Sequence, residues 1–242
     1  MIENYFKIAR RNLVKHKISS FINIGSLAVG MAVAMLIALW IYDELSFNKY
    51  HENYSRIVRV MRQETWKGNT STSHYNPLPV SGELRSSFAA NFKRVAASTF
   101  TDEHTLAYGE NKFNRKGNYM ESDGPEILAL EMLRGPRNGL GNINSIFVSE
   151  TTAKILFGKT DPIDKTIKID NRAAVNVTGV YKDLPFNSEF KDVGFIAPFD
   201  LHLSLSPWLR KDDWNNNHVQ VFAEIAPNTS PERISERIKD IK

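Results

Sequence analysis

FINIGSLAVGMAVAMLIALWIY, residues Phe21 to Tyr42, runs for 22 positions without a charged side chain. As a helix rising about 1.5 Å per residue it covers about 33 Å, enough to cross the hydrocarbon of a bilayer. Its flanks differ in charge: Lys7, Arg10, Arg11, Lys15 and Lys17 precede it, and Asp43 and Glu44 follow it. By the positive-inside rule this keeps the N-terminus in the cytoplasm and sends everything after residue 42 outside. Trp40 and Tyr42 stand at the outer end, where amphipathic rings favour the headgroup layer, and Gly25, Ser26 and Gly30 leave room for another helix to approach. The chain is therefore expected to divide into a cytoplasmic amphipathic segment (1–20), a transmembrane helix (21–42) and an extracytoplasmic domain (43–242).

Two other readings of the apolar run fit less well. A cleaved signal peptide also places basic residues before an apolar stretch, but its apolar region spans about 7–15 residues and ends in small ones. Here Leu39, Trp40, Ile41 and Tyr42 close the run, and a cut after Ala32 and Ala34 would leave eight apolar residues on the mature protein. A buried helix of a soluble protein rarely stays uncharged for so long.

Charge outside this region is balanced. Of 31 Lys and Arg and 27 Asp and Glu in 242 residues, the first 42 hold five basic side chains and one acid, Glu3, which accounts for the whole net charge of +4. The other 200 residues hold 26 of each sign, which argues against the basic surface a nucleic-acid partner needs. With 42% apolar content the composition is globular, and the absence of Cys excludes thiol chemistry and disulfides. Ahead of the apolar run, Ile2, Phe6, Ala9 and Leu13 recur at helical spacing while Lys7, Arg10, Arg11 and Lys15 fall mostly on other faces. This reads as a short interfacial helix, either a topogenic basic cap touching anionic lipid or an element that docks a cytoplasmic partner.

Past the membrane, strands are expected over Ser55–Arg62, Lys93–Phe100, Ile146–Val148, Thr166–Asp170, Ala173–Tyr181 and His218–Ile225, and a hairpin over 105–121 around Gly109 and Gly117. In the fifth of these strands Val175, Val177 and Tyr181 are placed on one face; in the last, Val219, Val221, Ala223 and Ile225. The polar stretch Trp66–Pro79 reads as a loop. Helices are expected through Val80, Leu84, Phe88 and Phe92, over Pro125–Leu133, from a Ser149 cap through ETTAKILF to Gly158, and from a Ser230 cap through Pro231, Ile234, Ile238 and Ile241. Strands and helices mixed without regular βαβ spacing predict an α+β domain in two lobes.

Several stretches carry a family resemblance: NYFKIARRNLVKHKISSFINIGSLAVGMA, YDELSFNKYHENYSRIVRV, VSETTAKILFGKTDPIDKTIKID and VTGVYKDLPFNSEF. In order and spacing they resemble the MacB/FtsX-like ABC transporter permeases and their periplasmic core domain, over nearly the whole chain. Asp164 departs from the pattern, which usually has Gly there. Gly158, Pro162 and Gly179 need no function to explain them: a helix stop, a turn start and a bulge or close approach within a strand.

The resemblance implies the front portion of a longer permease in the bacterial inner membrane, continuing beyond Lys242 into three more transmembrane helices. It implies a separate or fused ATP-binding ABC subunit that drives them, a homodimer or pseudo-dimer, and a periplasmic or outer-membrane partner. Family roles include efflux, lipoprotein release and signalling across the membrane. The alternative is a signal-anchored extracytoplasmic sensor or binding domain.

No catalytic, cofactor or metal residues are expected. There is no G-x-x-x-x-G-K-[ST] phosphate loop, and Gly139 and Gly141 form a lone G-x-G without a following helix pattern. The six His are scattered without ligand spacing, and His51-Glu52 and Asp102-Glu103-His104 read as solvated charges. Trp208 and Trp214 flank a charged loop and are expected to pack beneath it, the alternative being an exposed recognition patch. The candidate functional residues are therefore Phe6, Arg10, Arg11 and Leu13, a segment expected to hold or align the ATPase subunit.

Overall fold

A computed structural model describes every residue except 1, 52, 210, 211, 228 and 242, with only the backbone at 2 and 3. The chain separates into two compact units, Met1–Phe47 and Asn48–Lys242. In the first, α1 (Ile2–Lys15) and α2 (Lys17–Ser46) meet at His16, whose ψ of 55° interrupts the helical path. The apolar run lies within α2, and none of the side chains of α2 is buried in the protein.

The second unit begins with a 3-10 turn, Tyr54–Arg56, and β1 (Ile57–Arg59), so the single strand expected over Ser55–Arg62 is shorter. The stretch expected to be a loop is instead a hairpin, β2 (Arg62–Trp66) with β3 (Asn69–Ser73). Lys67 and Gly68, at φ of 49° and 81°, supply the two left-handed residues that a tight hairpin turn requires. After β4 (Asn76–Pro77), α3 (Pro79–Ser87) buries Val80 and Leu84. It stops one turn earlier than its four-residue stripe suggests, because Phe92 opens β5 (Phe92–Ser98).

β6 (Asp102–Tyr108) and β7 (Asn111–Met120) form the expected hairpin through Gly109, with Gly117 inside β7 rather than at the turn. The helix expected over Pro125–Leu133 shrinks to α4 (Gly124–Ile127), since Ala129 takes φ of 48° and the chain re-extends as β8 (Met132–Arg134).

The central segment folds as read. β9 (Ser145–Ser149) leads into α5 (Glu150–Phe157), where the Ser149 hydroxyl accepts a hydrogen bond from the Thr152 N–H and Gly158 leaves the helix at φ of 62°. β10 (Thr166–Ile169) and β11 (Ala173–Tyr181) follow, then β12 (Phe195–Pro198), α6 (Phe199–Leu205), β13 (Asn217–Ile225) and α7 (Pro231–Ile238) with its Ser230 cap.

Eleven strands form one sheet, ordered β1-β13-β5-β7-β12-β9-β11-β10-β6, with β4 and β8 attached to β13 and β11. β6 also pairs β7, so β7, β12, β9, β11, β10 and β6 close into a ring of six strands. Its interior is apolar: Leu106, Tyr119, Ile146, Val148, Ile167, Ile169, Val175, Val177 and Phe195 share one cluster with Leu156 and Phe157 of α5. A second cluster covers the other face, gathering Ala96, Met120, Phe147, Tyr181, Ile196 and Phe222 under Ile127, Leu128 and Phe190. The two lobes expected for this part share one sheet within one compact unit.

Tyr181 does not share the face of Val175 and Val177. The register slips between Val177 and Gly179, so the alternation reverses and Tyr181 joins the second cluster, its hydroxyl donating to the Val193 carbonyl at 2.8 Å. Gly179 is required there by close approach: a Cβ would lie 2.6 Å from Met132 and 2.7 Å from Phe147.

Candidate functional site

Phe6, Arg10, Arg11 and Leu13 all lie on α1, and all four side chains are exposed. At 100° per residue, Phe6, Ala9 and Leu13 form one stripe, Lys7, Arg11 and Lys15 the opposite face, and Arg10 the border between them. Lys15 in the last turn also complements the helix dipole. A helix with an exposed apolar stripe and five nearby cations (Lys7, Arg10, Arg11, Lys15, Lys17) suits a surface that is apolar and acidic. The Ile2 side chain, expected on the same stripe, lies outside the described residues. Within α2 the Ser26 hydroxyl donates to the Ile22 carbonyl, which satisfies a polar group inside the apolar run.

In the second unit a cleft of about 510 Å³ lies between α3, the end of β7 and α6, lined by Ser81, Arg85, Glu121, Asp123 and Phe199. Its polar groups are already engaged in holding the fold. Arg85 grips Glu121 through two hydrogen bonds of 2.7 Å, Glu121 also accepts from the Ala97 N–H at 2.7 Å, and Asp123 accepts from the Val95 N–H at 3.2 Å. The Ser81 hydroxyl lies 3.2 Å from both Glu121 Oε1 and the Leu78 carbonyl, and the arrangement clamps α3 to β5.

Three histidines that are far apart in sequence approach one another: His104 on β6, His202 on α6 and His218 on β13. The His202 ring packs 5.1 Å from Tyr119, which in turn lies 5.5 Å from His104. His104 Nδ1 lies 2.6 Å from Asp170, and His218 Nδ1 lies 3.0 Å from the Asn216 carbonyl. Burial, with the neighbouring His218 and His104, pushes His202 down to about 4. Among the described residues no three His, Asp or Glu side chains are placed to hold a metal ion. Strand alternation shows that His104 points the same way as Leu106; the meeting with α6 follows from the ring and has no sequence signal.

The solvated reading of His51-Glu52 fails for His51, which is 7% exposed and packs its ring, tilted, 3.8 Å from that of Tyr50. Burial pushes it down to about 4, and the Tyr50 phenol up to about 12. Glu52 lies outside the described residues. Asp102 and Glu103 are exposed as expected, whereas His104 is bound to Asp170. Trp214 packs against the core; Trp208 does not, and is 69% exposed. Residues 210 and 211 of the loop between them lie outside the described residues. Gly139 and Gly141 lead into β9, not into a helix N-terminus that could hold a phosphate.

Residues 20–241 match the family described as the MacB-like periplasmic core domain. Three solved structures are similar in fold. A domain assigned to a permease from Porphyromonas gingivalis aligns with a TM-score of 0.62 at 19% identity, over 77% of this chain and 80% of that one. The periplasmic region of MacB from Actinobacillus actinomycetemcomitans aligns with 0.57 at 12%, over 76% and 81%. The extracellular domain of the noncanonic ABC-type transporter YknZ from Gram-positive bacteria aligns with 0.52 at 19%, over 74% and 87%. No curated protein matches the sequence.

Proposed function

The chain belongs to the family of MacB-like periplasmic core domains, and on that premise we propose that it serves an ABC transporter permease of the bacterial inner membrane. Residues 1–20 face the cytoplasm, 21–42 cross the membrane, and 43–242 form the periplasmic domain. ATP is hydrolysed by a separate ABC subunit, and the resulting movement of the membrane helices displaces the periplasmic domain. Efflux, lipoprotein release or transmembrane signalling then follows from what that domain engages. Two copies, or two similar halves, work together, with a periplasmic or outer-membrane protein as the further partner. The role is mechanical rather than enzymatic.

The observation that carries this reading is continuity: the family match begins at residue 20, and the basic amphipathic helix α1 stands directly ahead of it. In this reading α1 holds or aligns the ATPase subunit through Phe6, Arg10, Arg11 and Leu13. Reversing Arg10 and Arg11 would disturb membrane orientation, so Phe6→Ala with Leu13→Ala is the cleaner probe. The doubly substituted permease should insert normally, yet co-purify less with its ATPase and stimulate less ATP turnover. Unchanged values for both would reduce α1 to a topogenic cap. Failure of the unsubstituted protein to bind any ATP-binding subunit would favour an anchored sensor or binding domain.

A further inference from the structure

Phe186 is a large aromatic side chain left 76% exposed on a loop that is otherwise pinned. Around it Leu184, Ser188 and Phe190 are buried. The pins lead back to Asn48: its N–H donates to the Asn187 carbonyl at 2.9 Å, and its side-chain oxygen accepts from the Glu189 N–H at 2.9 Å. Glu189 is held further by Arg59 at 2.5 Å. Asn48 itself adopts φ of 58°, a conformation Asn tolerates better than most residues.

Asn48 is six residues beyond Tyr42, where the apolar run ends. Four helical steps and two extended ones carry the backbone at most about 13 Å past that point. A headgroup layer is about 5–8 Å deep on each side of the hydrocarbon. The Phe186 loop is thus tied to a residue that covalent geometry keeps at or just above the headgroups. Tyr54, also exposed, lines the same small cavity as Asn48 and Glu189, with Lys49 near its ring. Aromatic rings presented at that depth partition into the interface, and a basic side chain beside them suits anionic lipid.

We infer that Phe186, with Tyr54 beside it, is a membrane contact of the periplasmic domain that seats it on the headgroup layer of the bilayer crossed by α2. The inference rests on the reading of α2 as the span.

Because the chain has no Cys, single labelling sites can be introduced cleanly. An environment-sensitive fluorophore is attached to Phe186→Cys, Tyr54→Cys, Val33→Cys and Trp66→Cys in the full chain, reconstituted into phosphatidylcholine–phosphatidylglycerol vesicles. Some vesicles carry headgroup or acyl-chain spin labels. Val33 marks the span; Trp66, equally exposed at 75% on the β2–β3 hairpin, marks solvent. The label at 186 should show a blue shift and roughly twofold stronger quenching by headgroup spin label than the label at 66, with 54 in between. A quenched span with 186 behaving like 66 would overturn the inference while leaving the span intact. An unquenched label at 33 would overturn both. A blue shift at 186 that tracked protein density rather than spin label would assign the surface to a second copy and also overturn it. Should Phe186→Cys melt early, Tyr54→Cys carries the same comparison.

Discussion

α2 and the six-stranded ring are both built from apolar side chains, and they use them in opposite ways. Every described side chain of α2 faces outward, whereas the ring turns Leu106, Val175, Val177 and Phe195 into a space from which water is excluded. In the proposed topology one region relies on lipid as its apolar solvent, and the other makes its own. What is read from sequence differs accordingly: length and charge flanks for the helix, side-chain period for the sheet.

The contrast can be broken first in the membrane. Ala32→Arg, near the middle of the run, should cost about 2.5–3.5 kcal/mol of insertion. Alkaline extraction should release the variant while the melting of residues 48–242 stays unchanged. A coupled loss of both would mean that the two units are not independent.

Acid should act on the second unit. His51 and His202 are held near 4 against an ordinary 6.5, mainly by burial. Their neutral forms contribute stability that is complete above pH 6.5 and is lost as pH falls toward 4. The melting temperature of the second unit should drop across that window. His202→Leu should flatten the profile, and an equally steep profile in that variant would assign the effect elsewhere.

Within the sheet, Gly179→Val should cost about 1–3 kcal/mol by overpacking Phe147 and Met132, visible as a lower denaturant midpoint. Asp164→Gly should do the reverse on a smaller scale. Asp164 sits at φ of 61°, two residues after Pro162, whose carbonyl accepts from Lys165 N–H at 3.2 Å. That is the third position of a tight turn, which favours Gly, so the replacement should raise stability by about 0.5–1 kcal/mol. A loss at 164 equal to that at 179 would sink the turn argument.

These two positions also mark the limits of sequence reading. From Ser149 to Tyr181 the elements were legible because each is punctuated locally: a serine cap, a glycine stop, a break at Asn171 and Arg172 between the expected strands, and a strand that alternates as far as Val177; the left-handed turn itself falls one residue earlier, at Asp170 and Asn171. The β2–β3 hairpin was not, since residues 69–72 are exposed and no alternation can appear where neither face is buried. The face of Tyr181 was lost to a bulge of one residue. Ring closure joins β6 to β10, more than 60 positions apart in sequence, and the histidine meeting depends on it. On α1 the basic and apolar spacing was legible, because a helix in isolation carries its pattern intact.

The most direct test of the whole account is sidedness. Asn12→Cys on α1 and Asn138→Cys on the outer unit, each the sole thiol in the full chain, are treated in intact cells with a maleimide too polar to cross the inner membrane, after the outer membrane is made permeable. Asn138→Cys should label at once and Asn12→Cys only after the inner membrane is opened. The reverse pattern, or immediate labelling of both, would contradict a cytoplasmic α1 and a periplasmic core domain.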